Sequence, residues 1–195
     1  FKPHLDAANK YGLTFGQTHA PFPSMIKDRE DINEKMIPIT INTMELSHRM
    51  GSKYIVVHPM TLAYECSKQE EHDFNIEMYK KLIPAAKEFK QVICLENMFM
   101  EINSHLMEGV CSDFAETVAM IDELNEIAGE EVFGFCFDVG HANVLGKNMY
   151  QSLVTLGDKL KILHIHDNDG VGDLHTMPYT FMNLLKFCRC PKTVR

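Results

Sequence analysis

The segment KILHIHDNDGVGDLHTMP, residues 161–178, sets His164, His166 and His175 among Asp167, Asp169 and Asp173 directly after a short apolar run. Imidazole nitrogens and carboxylate oxygens without thiolate are donors suited to a divalent ion such as Zn, Mn, Fe or Mg. The same residue types follow apolar runs earlier in the chain: His19 in QTHAPFP, His58 in VVHPM, Glu96 in CLENM, and Asp138 with His141 in FDVGHAN. An ion held by such donors with one position open polarises a carbonyl or hydroxyl oxygen. A carboxylate beside it can carry a proton if burial or a like charge raises its pKa.

Each residue also has a plainer account. A lone histidine such as His58 is more often a hydrogen-bonded rim side chain than a ligand. Asp138 alone could cap a following helix, Glu96 alone could form an ion pair, and Asp167 and Asp169 could simply shape the turn at Asn168 and Gly170. What weighs against these accounts together is that the residues fall at the same end of successive strands. His4, His48, His72 and His105 fall in helices or loops and receive no role.

The elements that must position these side chains are legible as short apolar runs: LTFGQ (13–17), YIVV (54–57), VICL (92–95), FGFCF (133–137) and KILHI (161–165). Runs apolar on both faces are typical of buried parallel strands. Between them lie amphipathic stretches. In SDFAETVAMIDELNEIAGE, Phe114, Val118, Ile121, Leu124 and Ala128 share a face, Ser112 or Asp113 can cap the start, and Gly129 can end it. The stretch DINEKMIPITINTMELSHRMG carries Ile32, Met36, Ile39, Thr43, Leu46 and Met50 at similar spacing, with Pro38 expected to kink or break it. Pro84 raises the same difficulty in DFNIEMYKKLIPAAKEFK. Alternating strands and helices imply βαβ units and a parallel sheet. No GxGxxG follows a strand, and ligand-type residues end most strands rather than one switch point, so a closed (β/α)8 TIM barrel is favoured over a doubly wound sheet.

Composition sets the outer bounds. With 195 residues, 45% of them hydrophobic, the chain can bury a core. A net charge of -8 gives no electrostatic footprint for nucleic acid. No run is long enough to span a bilayer, and no leader is evident, so a cytoplasmic protein is expected. The six cysteines lack CxxC spacing and read as reduced thiols; Cys188 and Cys190 could bind a metal, but CxC alone is a weak signal. The chain opens on Phe1 in the helix-like HLDAANKYGL with no strand ahead of it, and a full barrel takes about 250 residues. The expected architecture is therefore a partial barrel over 1–178, lacking the first strand and the last two, followed by a short basic tail, 179–195.

The ordered set THAPFP, VVHP, LEN, DVGHAN and HIHDND followed by DLH resembles the xylose isomerase-like, or AP endonuclease family 2, TIM-barrel superfamily, from His19 to Pro178. That superfamily includes sugar phosphate isomerases and epimerases, inosose dehydratases, hydroxypyruvate isomerases and endonuclease IV. The resemblance implies one divalent ion (Mn, Mg, Co or Zn) on Glu96, Asp138 and His164, with the final glutamate of the isomerase set having no counterpart. It also implies Glu96 as the proton carrier through an enediolate and His141 as a contact to the sugar. His166 stands where epimerases have a small residue and is expected to hydrogen-bond a ligand. The expected function is a sugar or sugar phosphate isomerase or epimerase acting on a small polyhydroxylated substrate.

Two alternatives remain open. Endonuclease IV-like members use a trinuclear zinc cluster, and residues matching it, His19, His58, Glu96, Asp138, His141, His164, Asp173 and His175, are all present, which allows a zinc phosphodiesterase acting on abasic DNA. The second alternative is a non-catalytic partial barrel whose exposed sheet edges favour aggregation or a homo-oligomer.

Overall fold

The computed structural model describes residues 2–182; the readings of Cys188 and Cys190 and of most of the basic tail fall outside these residues. Helix α1 (Lys2–Tyr11) precedes β1 (Gln17–His19), and α2 (Glu30–Arg49) leads to β2 (Tyr54–Val56). Helices α3 (Lys68–Lys80) and α4 (Ile83–Phe89) connect β2 to β3 (Val92–Glu96). An antiparallel hairpin, β4 (Phe99–Ile102) and β5 (His105–Glu108), precedes α5 (Phe114–Ala128). Then come β6 (Phe133–Asp138), α6 (Val139–Val144), α7 (Met149–Leu156) and β7 (Leu160–His164).

Five strands pair in the order β1-β2-β3-β6-β7, every neighbour parallel. This is the strand-and-helix repeat of a (β/α)8 barrel, present as an incomplete barrel. The two faces of the sheet differ in what they bury, because alternate side chains point opposite ways. Ile55, Val57, Ile93, Leu95, Phe133, Phe135 and Phe137 pack with Met44, Tyr79, Leu82, Ile121 and Leu124 of the helices into the main core. The intervening residues Val56, Cys94 and Cys136, with Tyr54, Val92 and Ile162, form a smaller cluster. Continuing that second alternation by two residues reaches His58, Glu96, Asp138 and His164, so the ligand-type residues cap the smaller cluster at the strands' C-terminal ends.

Several expectations shift. The first strand lies at Gln17–His19 rather than 13–17, because its register is set by Tyr54–Val56, and Leu13 stays exposed. Helix α2 runs unbroken through Pro38, and the residues it buries are Asn33, Thr40, Met44 and Ser47, one position off the expected stripe; Ile39 and Leu46 are exposed. Pro84 does separate two helices, standing in the first turn of α4, where its missing N–H has no helical partner to lose. Helix α5 follows expectation: the Asp113 side chain accepts from the Ala115 and Glu116 N–H groups, and Gly129 closes it with φ 72°. The hairpin was not anticipated. It turns on Asn103 and Ser104, both at positive φ, and puts His105 in a strand. Among the described residues no helix is long and apolar enough to cross a membrane, and Cys66, Cys94, Cys111 and Cys136 are free.

Candidate metal centre

Glu96 is the hub. It ends β3, is 2% exposed, and its two carboxylate oxygens face different partners. Oε1 accepts a hydrogen bond from His164 Nδ1 at 3.2 Å and lies 3.6 Å from His141 Nδ1. Oε2 lies 3.2 Å from His58 Nε2 and 3.7 Å from His19 Nε2, yet has no aligned hydrogen bond. Burial alone would raise the Glu96 pKa, but the surrounding His164, His19 and His58 imidazoles hold the carboxyl well below the usual carboxylate range. The reciprocal effect of Glu96 raises the His164 pKa against its burial.

Asp138 ends β6 and does two things at once. Its Oδ1 accepts the His141 N–H at 2.8 Å, capping α6, while Oδ2 lies 3.7 Å from His164 Nδ1. The capping account of this aspartate is correct, and it leaves the second oxygen for other work. His166 Nε2 lies 3.0 and 3.2 Å from the two Asp138 oxygens.

A third cluster forms beyond β7. Backbone hydrogen bonds between Asp167 and Thr176 close the 168–175 loop, which carries the part-buried Asp173 and the exposed His175. Asp173 Oδ2 lies 3.0 Å from His175 Nε2 and 3.6 Å from His141 Nε2. The other two aspartates of this segment are structural. Asp169 accepts from the Val171 and Gly172 N–H groups in a turn, and Asp167 accepts from the Phe181 and Met182 N–H groups. Burial would raise the Asp167 pKa, but those backbone donors lower it overall.

Whether these residues fit a cation can be judged from their protons. His19 Nδ1 donates to its neighbour's carbonyl, Ala20 O, at 2.6 Å, and His141 Nδ1 donates to Asn97 O at 2.8 Å. Each ring therefore carries its lone pair on Nε2. The His141 lone pair faces Asp173 Oδ2, while His19 Nε2 meets His58 Nε2 at 3.0 Å and lies 3.7 Å from Glu96 Oε2. Acceptors set against acceptors in a buried site repel unless a positive charge lies among them. The unpaired buried oxygens Glu96 Oε2 and Asp173 Oδ1 make the same point. Four overlapping groups have donor atoms within 4.8 Å of one another: His19, His58 and Glu96; Glu96, Cys136 and His164; Glu96, Asp138 and His141; and His141, His166, Asp173 and His175. Cys136 is the poorest donor, since burial pushes its thiol well above the ordinary range. The donor chemistry fits one or more divalent ions.

The structure thus gathers all nine histidine and carboxylate candidates at one mouth: His19, His58, Glu96, Asp138, His141, His164, His166, Asp173 and His175. His72 instead pairs with Glu123 at 2.9 Å, and His4 and His48 stand on α1 and α2. A separate cavity of about 230 Å³ between α3 and the hairpin, lined in part by Tyr64, Met100 and Met107, shares no residue with the donor groups. Two positioning residues escaped the sequence reading. Asn97, fully buried, donates from Nδ2 to Asp138 O at 2.9 Å and accepts the Asp138 N–H at 2.8 Å. Asn168 donates to Gly140 O at 2.9 Å, tying the 168–175 loop to α6. The signal available was an amide directly after a strand-end acid, in LEN, and between acids, in HDND.

The family model described as xylose isomerase-like TIM barrel matches residues 5–183. A probable endonuclease 4 of Nitrosopumilus maritimus is 30% identical over 170 residues, covering 80% of this chain and 56% of that protein. An uncharacterized protein of Methanocaldococcus jannaschii is 28% identical over 166 residues, covering 80% and 53%. The chain spans about half the length of these curated relatives. Among solved structures, a D-tagatose 3-epimerase-like protein superposes with a TM-score of 0.75 at 24% identity, covering 96% of this chain and 69% of that one, a likeness of fold. By the extent of the family match and the strand topology together, the chain belongs to the xylose isomerase-like TIM barrel family.

Proposed function

We propose that the protein is a divalent-metal-dependent isomerase or epimerase of a small polyhydroxylated substrate: a sugar, a sugar phosphate or an inosose. The observation that carries this is Glu96, a buried carboxylate at the junction of the donor groups whose two oxygens face four imidazoles. Glu96, Asp138 and His164 would hold the ion. When bound, a divalent ion supplies Lewis-acid stabilisation of the oxyanion that develops as a proton leaves the carbon next to a carbonyl. Glu96 would take that proton to give the enediolate and would return it; its lowered pKa makes it a weak base, so the transfer would depend on the ion acidifying the substrate carbon. His141, whose Nε2 is left without a proton, would accept a hydrogen bond from a substrate hydroxyl. The name of the superposing D-tagatose 3-epimerase-like protein supports a sugar substrate, and free cysteines are consistent with a cytoplasmic setting.

The test is solvent exchange. Protein loaded with Mn, Mg, Co or Zn is incubated in D2O with ketoses, ketose phosphates and inososes, and deuterium at the carbon beside the carbonyl is read by NMR. Incorporation that disappears in Glu96→Gln supports the reading, and no incorporation with any of these substrates overturns it.

A second reading is favoured by one observation: donors that the single-ion arrangement does not use, His19, His58, Asp173 and His175, also stand in donor groups. It is a zinc phosphodiesterase on abasic DNA, in keeping with the relative named probable endonuclease 4. Three zinc ions per chain and cleavage of an abasic duplex would establish it in place of the first. No stoichiometric metal would leave the non-catalytic partial barrel.

A further inference from the structure

We infer that His166 is a positioning residue that couples the Asp138 carboxylate to the Asp173–His175 loop, so that the order of one donor group depends on the other. The inference rests on the proposal that Asp138 ligates a divalent ion.

Three contacts fix the ring. Its Nε2 lies within hydrogen-bonding distance of both Asp138 oxygens, at 3.0 and 3.2 Å. One face stacks on His175, with centroids 3.8 Å apart and planes 11° from parallel. Its Cε1 occupies the space that a side chain at position 140 would need, since a Cβ built on Gly140 falls 1.9 Å from it. Gly140 sits two residues after Asp138, so the glycine and the histidine form a matched pair: the helix start is cut away where the ring enters.

The hydrogen bond has a direction. The carboxylate accepts, so Nε2 carries the proton and Nδ1 carries the lone pair; Nδ1 is buried without a partner. A buried imidazole with one nitrogen unsatisfied is costly to hold, and is retained here by the stacking and the carboxylate. Asp138 Oδ1 already accepts the His141 N–H, so a hydrogen bond from His166 to this side leaves Oδ2 directed toward His164. The same Nε2 lies 3.7 Å from Asp173 Oδ1, an oxygen with no hydrogen-bond partner. The ring is thus the part in common between the Asp138 group and the His141, Asp173 and His175 group. Fixing either group fixes the ring, and the ring orders the other.

Cobalt titration of the purified protein tests this, with affinity and stoichiometry from calorimetry and coordination from the visible d–d absorption. His166→Ala should weaken Co2+ binding about 10- to 100-fold with unchanged stoichiometry. His166→Gln, whose amide can still donate to Asp138, should recover most of that loss, which a purely space-filling role would not reproduce. Gly140→Ala should displace the ring and weaken binding without removing the imidazole. In a double-mutant cycle, the effects of His166→Ala and His175→Ala should depart from their product by about twofold or more. Thermal melts of the metal-free variants check folding. Independent effects of His166 and His175, or affinity unchanged in both His166→Ala and Gly140→Ala, would overturn the coupling while leaving the metal reading intact. Loss of a whole ion in His166→Ala would make His166 a ligand and overturn its positioning role. Absence of stoichiometric Co2+ in the unmutated protein would overturn both.

Discussion

At the scale of residues, the centre is built from protons already committed. His19 and His141 each donate Nδ1–H to a carbonyl, which fixes where their Nε2 atoms point before any ion arrives. Glu96→Gln removes the charge at the junction of the donor groups and the group proposed to move the proton, so kcat should fall by about 10²- to 10⁴-fold in the solvent-exchange assay. The pH dependence follows from the shifted groups. The depressed Glu96 pKa contributes stability above the unfolded carboxylate value, about 4.3, which is lost as pH falls through the folded value. The raised His164 pKa contributes stability that is full below about 6.5 and is lost as pH rises through the folded value. The metal-free protein should therefore melt at lower temperature as pH rises past His164, and Glu96→Gln should flatten that slope in calorimetry. An ion needs the imidazole neutral, so its affinity should rise over the same interval; isotherms at several pH values check the opposite sign. Residue types at strand ends made most of this site legible. Asn97 was not, because an amide that serves the backbone of another strand leaves no spacing signature.

At the scale of elements, legibility depended on how local the cause was. Helix α5 was readable because its cap, its stripe and its terminating glycine all lie within its own sequence. Asp113→Ala removes the side chain that receives two N–H groups and should lower stability by about 1 kcal/mol in urea unfolding. Helix α2 departs by one position from the expected stripe because its buried face includes the polar Asn33, Thr40 and Ser47, two of which have partners elsewhere. Asn33 exchanges hydrogen bonds with the Ile26 backbone, and Ser47 meets Thr18 of β1 and Gln91. Polar residues with distant partners defeat a hydrophobic period. The hairpin after β3 was missed for a related reason: it packs no continuous apolar face, and Asn-Ser is a weaker turn signal than Asn-Gly. Pro38 leaves α2 unbroken from within and Pro84 stands in the first turn of α4, so a proline in the sequence does not by itself mark where a helix ends.

At the scale of the whole molecule, the donors come from the ends of five parallel strands, the start of α6 and the loop beyond the last strand, so an ion would add a bond between parts of the chain already joined by the sheet's ladder. A ligand that binds only the folded state at about 100 times its Kd adds about 2.7 kcal/mol. Saturating metal should raise the melting temperature and a chelator should return it, with Glu96→Gln insensitive to either. Asn97 extends this ordering. Its side chain meets both the N–H and the C=O of Asp138, so it continues the β3–β6 contact one residue past Glu96, onto the residue that ends β6. Sliding of one strand against the other would break these two hydrogen bonds as well as the ladder. The two acids therefore stand on backbone locked in height, and an ion of different radius could be met only by the side-chain torsions of Glu96 and Asp138.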